Sequence, residues 1–196
     1  MTTVEQQYID AIHAAGNTGL TQHLEHILDQ QTNDERARLE HPGALRGAAL
    51  WYARRDIAVF PCHPQGKQPA TRNGFKDATT DLDQIRAWWD ITPDANIGIP
   101  TGRSFDVIDV DGYDGVISMW AGPTPLAETL TILGHVSTPR HGGHHLYVPV
   151  TGHGNKAAIY PGIDYRGRGG YVIAPPSAGP DGTARYRWIK PLQVGE

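Results

Sequence analysis

The chain has 196 residues, enough for one domain with a hydrophobic core that needs no disulfides or metals to stabilise it. Its single cysteine excludes a disulfide framework and any cysteine-rich zinc site. No apolar run is long enough to span a membrane, and the N-terminus lacks a signal peptide pattern. We therefore expect a cytoplasmic protein in a reducing compartment.

The net charge is −4, which argues against a general polyanion binder, but the charges are unevenly distributed. Residues 1–50 and 51–134 each carry a net charge of −4, whereas residues 135–196 carry +4. An acidic first part and a basic last part suit a metal cluster beside a phosphate-binding surface.

The sequence divides into residues 1–43, predicted to be a helical appendage, and residues 44–196, predicted to be the main domain. In the main domain, ALRGAALWYARRD predicts a helix and IAVFPC a strand. DLDQIRAWWD predicts a second helix, with Asp81 as its N-cap and Ile85, Trp88 and Trp89 facing a core. A further helical stretch is expected over residues 116–133, interrupted by prolines.

The remaining segments predict short strands separated by glycine-rich turns. The successive strands in NIGIPTG and DVIDVDG suggest a meander, and STPRHGGHHLYVPV predicts two strands joined by a glycine turn. GIDYRGRGGYVIAPPS repeats that plan, and RYRWI supplies a last strand. The expected fold class is α+β with mostly antiparallel strands.

The stretch FDVIDVDG carries the clearest chemical signal. Asp109 and Asp111 are two residues apart at the end of a predicted strand, so both carboxylates point to the same face. Carboxylate oxygens are ligands that Mg²⁺ favours, together with substrate phosphates. A strand end with two solvated acids before the turn at Gly112 fits the same residues.

A third acid, Asp164, lies in GIDYRGRGG, followed by Arg166 and Arg168. Alone, this segment is also typical of a surface hairpin of mixed charge. Three acids on adjacent strands can hold two cations, which clamp a triphosphate and activate a hydroxyl. That arrangement predicts phosphoryl or nucleotidyl transfer.

Two further positions offer donors to a phosphate. His144 and His145 follow Gly142 and Gly143 and point to opposite faces of their strand, so only one of them can face a site. A glycine hairpin with two polar strand residues is the alternative. Lys67 follows a glycine in the loop after a strand and can reach a phosphate, although a solvated lysine fits equally and the spacing is not that of a Walker loop.

In order and content, residues 44–189 resemble the N-terminal catalytic domain of bifunctional primase–polymerases. These form a branch of the archaeo-eukaryotic primase superfamily found in plasmid and phage replication proteins. The segments that carry the resemblance are IAVFPCHPQGKQPA, GFKDATTD with IRAWWD, NIGIPTG, VIDVDG, STPRHGGHHLYV, GIDYRGRGGYVIAPPS and RYRWI.

The resemblance implies a role for each candidate residue. It implies that Asp109, Asp111 and Asp164 are metal ligands and catalytic residues for two Mg²⁺ or Mn²⁺ ions, with no zinc. It implies that a set of donors binds the incoming nucleotide: His145, Arg140, Lys67, Arg166 and Arg168.

The resemblance also implies a fold and a function. The fold is a primase-like core in which an antiparallel sheet like that of an RNA-recognition motif, with helices, joins a smaller α+β unit. The function is template-dependent DNA priming and polymerisation, using (d)NTPs, a single-stranded DNA template and a primer. A helicase and a primer-binding domain are expected in the same full-length phage or plasmid protein, of which this chain would be a fragment. A non-catalytic single-strand-binding module and a metal-dependent phosphodiesterase remain alternatives.

Overall fold

The computed structural model describes residues 43–121, 129–140 and 142–193. They form an α+β fold with two antiparallel sheets, which confirms the fold class expected from the sequence. The predicted helices of residues 1–42 lie outside the described residues. Among the residues that are described, no helix has the length and apolar character needed to cross a membrane.

Two helices precede most of the strands. Helix α1 spans Ala44–Ala53 and helix α2 spans Leu82–Ile91. The Asp81 carboxylate caps α2 by accepting hydrogen bonds from the backbone N–H groups of Asp83 and Gln84, at 2.9 and 3.3 Å. Of the predicted core residues of α2, Ile85 and Trp89 are buried, whereas Trp88 is half-buried.

The predicted helix over residues 116–133 begins earlier and ends sooner than expected. Helix α3 spans Gly112–Val116, and a π-helical turn continues it over Ile117–Ala121. Residues 122–128 are outside the described range, and residues 131–133 are not helical. A 3₁₀ turn, Gly74–Asp77, lies in the loop before α2.

The smaller sheet has three strands in the order β1-β2-β8. Their bounds are β1 Phe60–Cys62, β2 Asn96–Pro100 and β8 Tyr171–Ala174. The predicted meander of β2 with the next strand is wrong, because β2 pairs with β1 and β8 and the strand after it belongs to the other sheet. Five residues between the two strands are enough for the chain to change sheets.

The larger sheet has six strands in the order β6-β7-β3-β5-β4-β9. Strands β4 and β5 form the hairpin that the glycine pair predicted. The bounds in chain order are β3 Asp106–Val110, β4 Gly134–Ser137, β5 His144–Val148, β6 Lys156–Tyr160, β7 Ile163–Arg166 and β9 Arg187–Lys190.

The two faces of the larger sheet contribute to different cores. One face, carrying Val107, Val136 and Tyr147, packs into a core with α1, α2 and the smaller sheet. The other face, carrying Ile108, Val110, Leu146 and Ile163, packs against Val116, Met119 and Trp120. We call the first the site face and the second the helix face. Alternation along β3 therefore assigns Asp109 to the site face.

Candidate active site

Three polar side chains form a row across the centre of the larger sheet. Asp109 on β3 is paired directly with Asp164 on β7 and with His145 on β5. Directly opposed residues of antiparallel strands point to the same face, so all three lie on the site face. The strand register thus brings together three residues of which the first, Asp109, and the last, Asp164, are 55 positions apart in the sequence.

Arg166 joins the two acids of this row. Its Nη2 donates to Asp109 Oδ2 at 3.1 Å and to Asp164 Oδ2 at 2.8 Å. Asp109 is buried, and Asp164 and Arg166 are half-buried. Because a buried carboxylate needs a compensating charge, this guanidinium makes it possible for Asp109 to lie inside the protein.

Asp111 lies one step beyond the end of β3. Its carboxylate forms an ion pair with Arg140 at 3.0 Å; the Arg140 side chain is largely exposed and that of Asp111 is partly exposed. Arg140 lies in the turn of the β4–β5 hairpin, whose Gly143 N–H donates to the Arg140 carbonyl at 2.9 Å. The hairpin therefore holds a cation beside the second acid of the predicted pair.

The glycines of that turn have a reason within the hairpin itself. Gly142 has a φ of +64°, and a Cβ on Gly143 would lie 2.1 Å from the Thr138 hydroxyl oxygen. Both positions therefore disfavour any residue with a side chain. The conformation of the turn is therefore a sufficient reason for both glycines.

His145 is buried beside the acids. Its Nε2 lies 3.5 Å from Asp109 Oδ1, and its Nδ1 has no hydrogen-bond partner among the described residues. Burial lowers its pKa from 6.5 to about 4; the charge of Asp109 opposes this shift, whereas that of Lys67 adds to it. The imidazole is therefore neutral at pH 7 and presents one N–H donor.

His144 faces the other way, as strand alternation predicted. Its Nδ1 lies 3.0 Å from His135 Nε2, and its ring meets that of Trp120 edge to face. These contacts place it on the helix face, away from the carboxylates. The prediction that only one of the two histidines faces the site is confirmed.

Lys67 lies in a loop that is fixed by backbone contacts, although its side chain is exposed. Tyr171 donates to the Lys67 carbonyl at 3.1 Å, and the buried Asn96 amide donates to the Gly66 carbonyl at 2.9 Å. The positive charge of Lys67 contributes to the lowered pKa of His145.

Arg168 is a predicted site residue that the structure leaves apart from the acids. It lies in the turn after β7, and its side chain is exposed. Among the described residues, its guanidinium makes no hydrogen bond or ion pair with any of the acids. Its role in nucleotide binding stays a prediction.

A family model agrees with this arrangement. The model for the N-terminal domain of bifunctional DNA primase/polymerases matches residues 49–196. The chain belongs to this family. No curated protein sequence matches the chain. Membership supports a function of the DNA primase and polymerase type, with DNA and nucleotides as substrates.

The primase/polymerase domain offers oxygen donors of the kind that a divalent cation binds. One nitrogen of Arg166 contacts both Asp109 and Asp164, so the two carboxylates converge on one positively charged point. Among the described residues, no group of three His, Cys, Asp or Glu side chains is arranged closely enough to hold a metal ion together. The donor set therefore fits two-carboxylate binding completed by phosphate oxygens, rather than a cage of protein ligands.

Two residues of the primase/polymerase domain were missed from the sequence. The N–H of Ala158, a residue with a φ of +49°, donates to Asp164 Oδ1 at 2.8 Å and so orients the third acid. Tyr186 packs its ring 5.7 Å from that of His145. Burial raises the pKa of the Tyr186 hydroxyl, and the charges of Asp109 and Asp111 raise it further. The irregular register of β6 and the long loop before β9 gave neither residue a sequence signal.

Proposed function

We propose that this domain adds nucleotides from (d)NTPs to the 3′-hydroxyl of a DNA chain under the direction of a template, and that it serves a phage or plasmid replication protein. The observation that carries the proposal is the row Asp164, Asp109 and His145 on one face of the larger sheet. Carboxylates are ligands for a metal ion, and an imidazole beside them can donate a hydrogen bond to a phosphate. Membership of the primase/polymerase family supports the same chemistry.

The acids hold the cations in this proposal. Asp109 and Asp164 converge on one point, and Asp111 lies at the end of the same strand as Asp109. Together with phosphate oxygens of the substrates, these three carboxylates would hold two Mg²⁺ or Mn²⁺ ions, which would supply activation of the attacking hydroxyl and neutralisation of the phosphate charge. The backbone of Ala158 keeps Asp164 turned towards this point.

The donors on the other side of Asp109 bind the triphosphate. His145 is neutral at pH 7 and offers an N–H, while Lys67 and Arg140 offer positive charge from two different loops. Arg166, now paired with two carboxylates, has a second possible partner in the phosphates. The 3′-oxygen forms a bond to the α-phosphorus, the bond to the β-phosphate oxygen breaks, pyrophosphate leaves, and the hydroxyl proton passes to solvent.

One assay separates the proposal from its alternatives. The full chain is incubated with a 5′-labelled primer on a longer template, with Mn²⁺ or Mg²⁺ and either dNTPs or NTPs. Extension of the primer supports the polymerase function, and products on an unprimed template support priming. Shortening of the primer would indicate a phosphodiesterase. A primer that is bound but unchanged in length would indicate a binding module. A helicase and a primer-binding domain in the same protein belong to the proposal as its expected partners.

A further inference from the structure

Two turns near the start of β3 touch each other through their backbones. The β2–β3 turn comprises residues 101–105, and the β7–β8 turn comprises residues 167–170. A Cβ on Gly102 would lie 2.3 Å from the Arg168 Cα, so this position has no room for a side chain. The buried Thr101 hydroxyl also joins the turns, because it donates to the carbonyl of the residue before Arg168 at 2.7 Å.

A third turn holds the β7–β8 turn from another direction. It is the β5–β6 turn, residues 149–155, whose His153 carbonyl accepts a hydrogen bond from the Arg168 N–H at 2.7 Å. The Asn155 side chain accepts a second hydrogen bond from the Gly167 N–H at 3.0 Å. The backbone from which the Arg168 side chain emerges is therefore fixed by two neighbouring turns.

The contact between the turns brings two arginines together. Arg103 follows Gly102, so its Cα lies within about 8 Å of the Arg168 Cα. Both side chains are exposed, and neither forms an ion pair within the part of the chain that the structure describes. Arg140 and Arg166, in contrast, are both paired with acids. Two neighbouring cations repel each other, and an anion bound between them relieves the repulsion.

The surroundings of this arginine pair contain little negative charge. None of the three turns includes an acid. Asp106, the first residue of β3, is fully buried, and its carboxylate accepts a hydrogen bond from the Thr151 N–H at 2.7 Å. Asp56 borders the same cavity of about 480 Å³ as Arg103, but these two described residues form no ion pair. The arginine pair is therefore suited to an anion from outside the protein.

The place of the arginine pair along the sheet indicates which phosphate it meets. Strand β7 runs antiparallel to β3, with Asp164 opposite Asp109. Arg168 follows β7 and so lies near the start of β3, whereas Arg140 is paired with Asp111 beyond the end of β3. A strand of five residues is about 17 Å long. A triphosphate bound at the Arg140 end therefore leaves the arginine pair for a different phosphate.

We infer that Arg103 and Arg168 together bind one backbone phosphate of single-stranded DNA, separate from the incoming nucleotide. Four residues of chain separate Asp164 from Arg168, so their Cα atoms are no more than about 14 Å apart. A DNA strand that reaches the acids is long enough to reach the arginine pair as well. Guanidinium groups bind phosphate through paired hydrogen bonds. This site rests on the proposed function, which brings DNA to the acids, and it adds a second contact that positions the strand.

The test measures binding of a fluorescein-labelled thymidine oligonucleotide to the full chain, by fluorescence anisotropy from low to high salt and without nucleotide. Arg103→Gln and Arg168→Gln should each weaken binding about five-fold, and the double variant about ten-fold, because both side chains act on one phosphate. The double variant should also lower the salt slope by about 0.7, the value for one phosphate of a single strand.

Two further proteins serve as controls for charge. Arg103→Lys combined with Arg168→Lys keeps both positive charges and should keep the salt slope. Arg46→Gln removes one charge from α1, where Arg46 is paired with Asp90, and should change neither affinity nor slope. Unchanged affinity and slope in the double glutamine variant would overturn the inference. Losses of the two single variants that multiply in full would also overturn it, because the arginines would then act on separate phosphates.

Binding of a fluorescent deoxynucleoside triphosphate in the presence of Mn²⁺ separates the two sources of phosphate. Its dissociation constant should be the same for the original chain and for the double glutamine variant. A higher value in the variant would assign the arginine pair to the incoming nucleotide and overturn the inference. A chain that binds the oligonucleotide through these arginines but extends a primer under no condition would refute the proposed function alone.

Discussion

His144 and His145 are neighbours in the sequence that belong to two different environments. Both are buried, and burial lowers the pKa of each to about 4. His145 lies among charges on the site face, whereas His144 lies against His135 and Trp120 on the helix face. Burial and pKa alone therefore do not identify the functional histidine. The surrounding groups do, because His145 lies beside Asp109 and Arg166, whereas the ring of His144 packs against His135 and Trp120.

The same difference extends over the two faces of the larger sheet. The helix face is covered mainly by apolar side chains, which stabilise the fold by close packing. The site face places Asp109 and Asp164 beside Arg166, an arrangement in which desolvation offsets much of the attraction. Hydrophobic side chains of similar size would often be no less stable there. We take this cost as a sign that the site face was selected for chemistry.

The largest predicted effect follows from removing the acids of the site face. Asp109→Ala with Asp111→Ala should reduce nucleotide incorporation by at least about a thousand-fold, because the carboxylates that hold the cations are lost. The measurement is primer extension with Mn²⁺ at saturating nucleotide.

The double variant must be shown to fold for this result to count. Removal of Asp109 leaves Arg166 with Asp164 as a partner, so the guanidinium is not stranded. Circular dichroism and a melting curve check the fold. Extension at the original rate by a folded double variant would contradict the metal assignment.

The two histidines provide the next test. His145→Ala should raise the KM for the incoming nucleotide and lower kcat/KM roughly ten- to a hundred-fold, because one hydrogen bond to a charged phosphate is lost. His144→Ala should change kcat/KM much less, since its ring is on the other face.

Single-nucleotide incorporation kinetics and Mn²⁺ titration of both variants show which histidine acts on the nucleotide. Metal affinity should stay nearly constant in each, because neither imidazole is a proposed ligand. Greater damage to incorporation by His144→Ala would reverse the comparison between the two faces.

Much of this comparison could be predicted from the sequence, because it depends on local alternation. A period of two assigns Asp109 and His145 each to one face of a strand, and separates His145 from His144. The cap of α2 by Asp81 and the β4–β5 hairpin are equally local. For these features, which neighbours in the chain decide, the structure agrees with the prediction.

The pairing of distant strands could not be predicted in this way. The chain changes sheets between β2 and β3, and no residue between them signals it. The irregular pairing of β6 that brings the Ala158 N–H to Asp164 depends on how β6 meets β7. The ion pair of Arg140 with Asp111 likewise depends on the order β3-β5-β4. Such features arise from tertiary packing, which single residues do not encode.

His144, on the helix face, should affect the stability of the protein and not its activity. In the folded state the pKa of His144 is about 4, below the usual 6.5, so the unfolded chain binds more protons between these values. Its contribution is complete above about pH 6.5 and is lost as the pH falls towards 4. We expect this residue to account for about 2 kcal/mol of the acid-induced loss in unfolding free energy.

Urea unfolding at pH 7 and at pH 4.5 measures that loss. His144→Phe removes the titrating group and should show a smaller difference between the two pH values than the original chain. An equal difference in both proteins would show that the acid sensitivity comes from other groups.

The smallest predicted effect concerns the salt dependence of DNA binding, which depends on the charges over the whole surface. The chain has a net charge of −4, and only residues 135–196 carry a net positive charge, so few phosphates can be contacted at once. Binding to single-stranded DNA should therefore be weak, and its salt slope shallower than that of a dedicated DNA-binding protein.

Arg168→Gln, at an exposed residue without an ion pair among the described residues, should reduce the slope by at most about one unit. The control is Arg86→Gln, since Arg86 is paired with Asp83 on α2. Anisotropy titrations between low and high salt provide the slopes, and tight binding that persists at high salt would contradict the prediction. A slope that falls in the Arg168 variant alone would place a DNA phosphate at the turn after β7, outside the row of Asp164, Asp109 and His145.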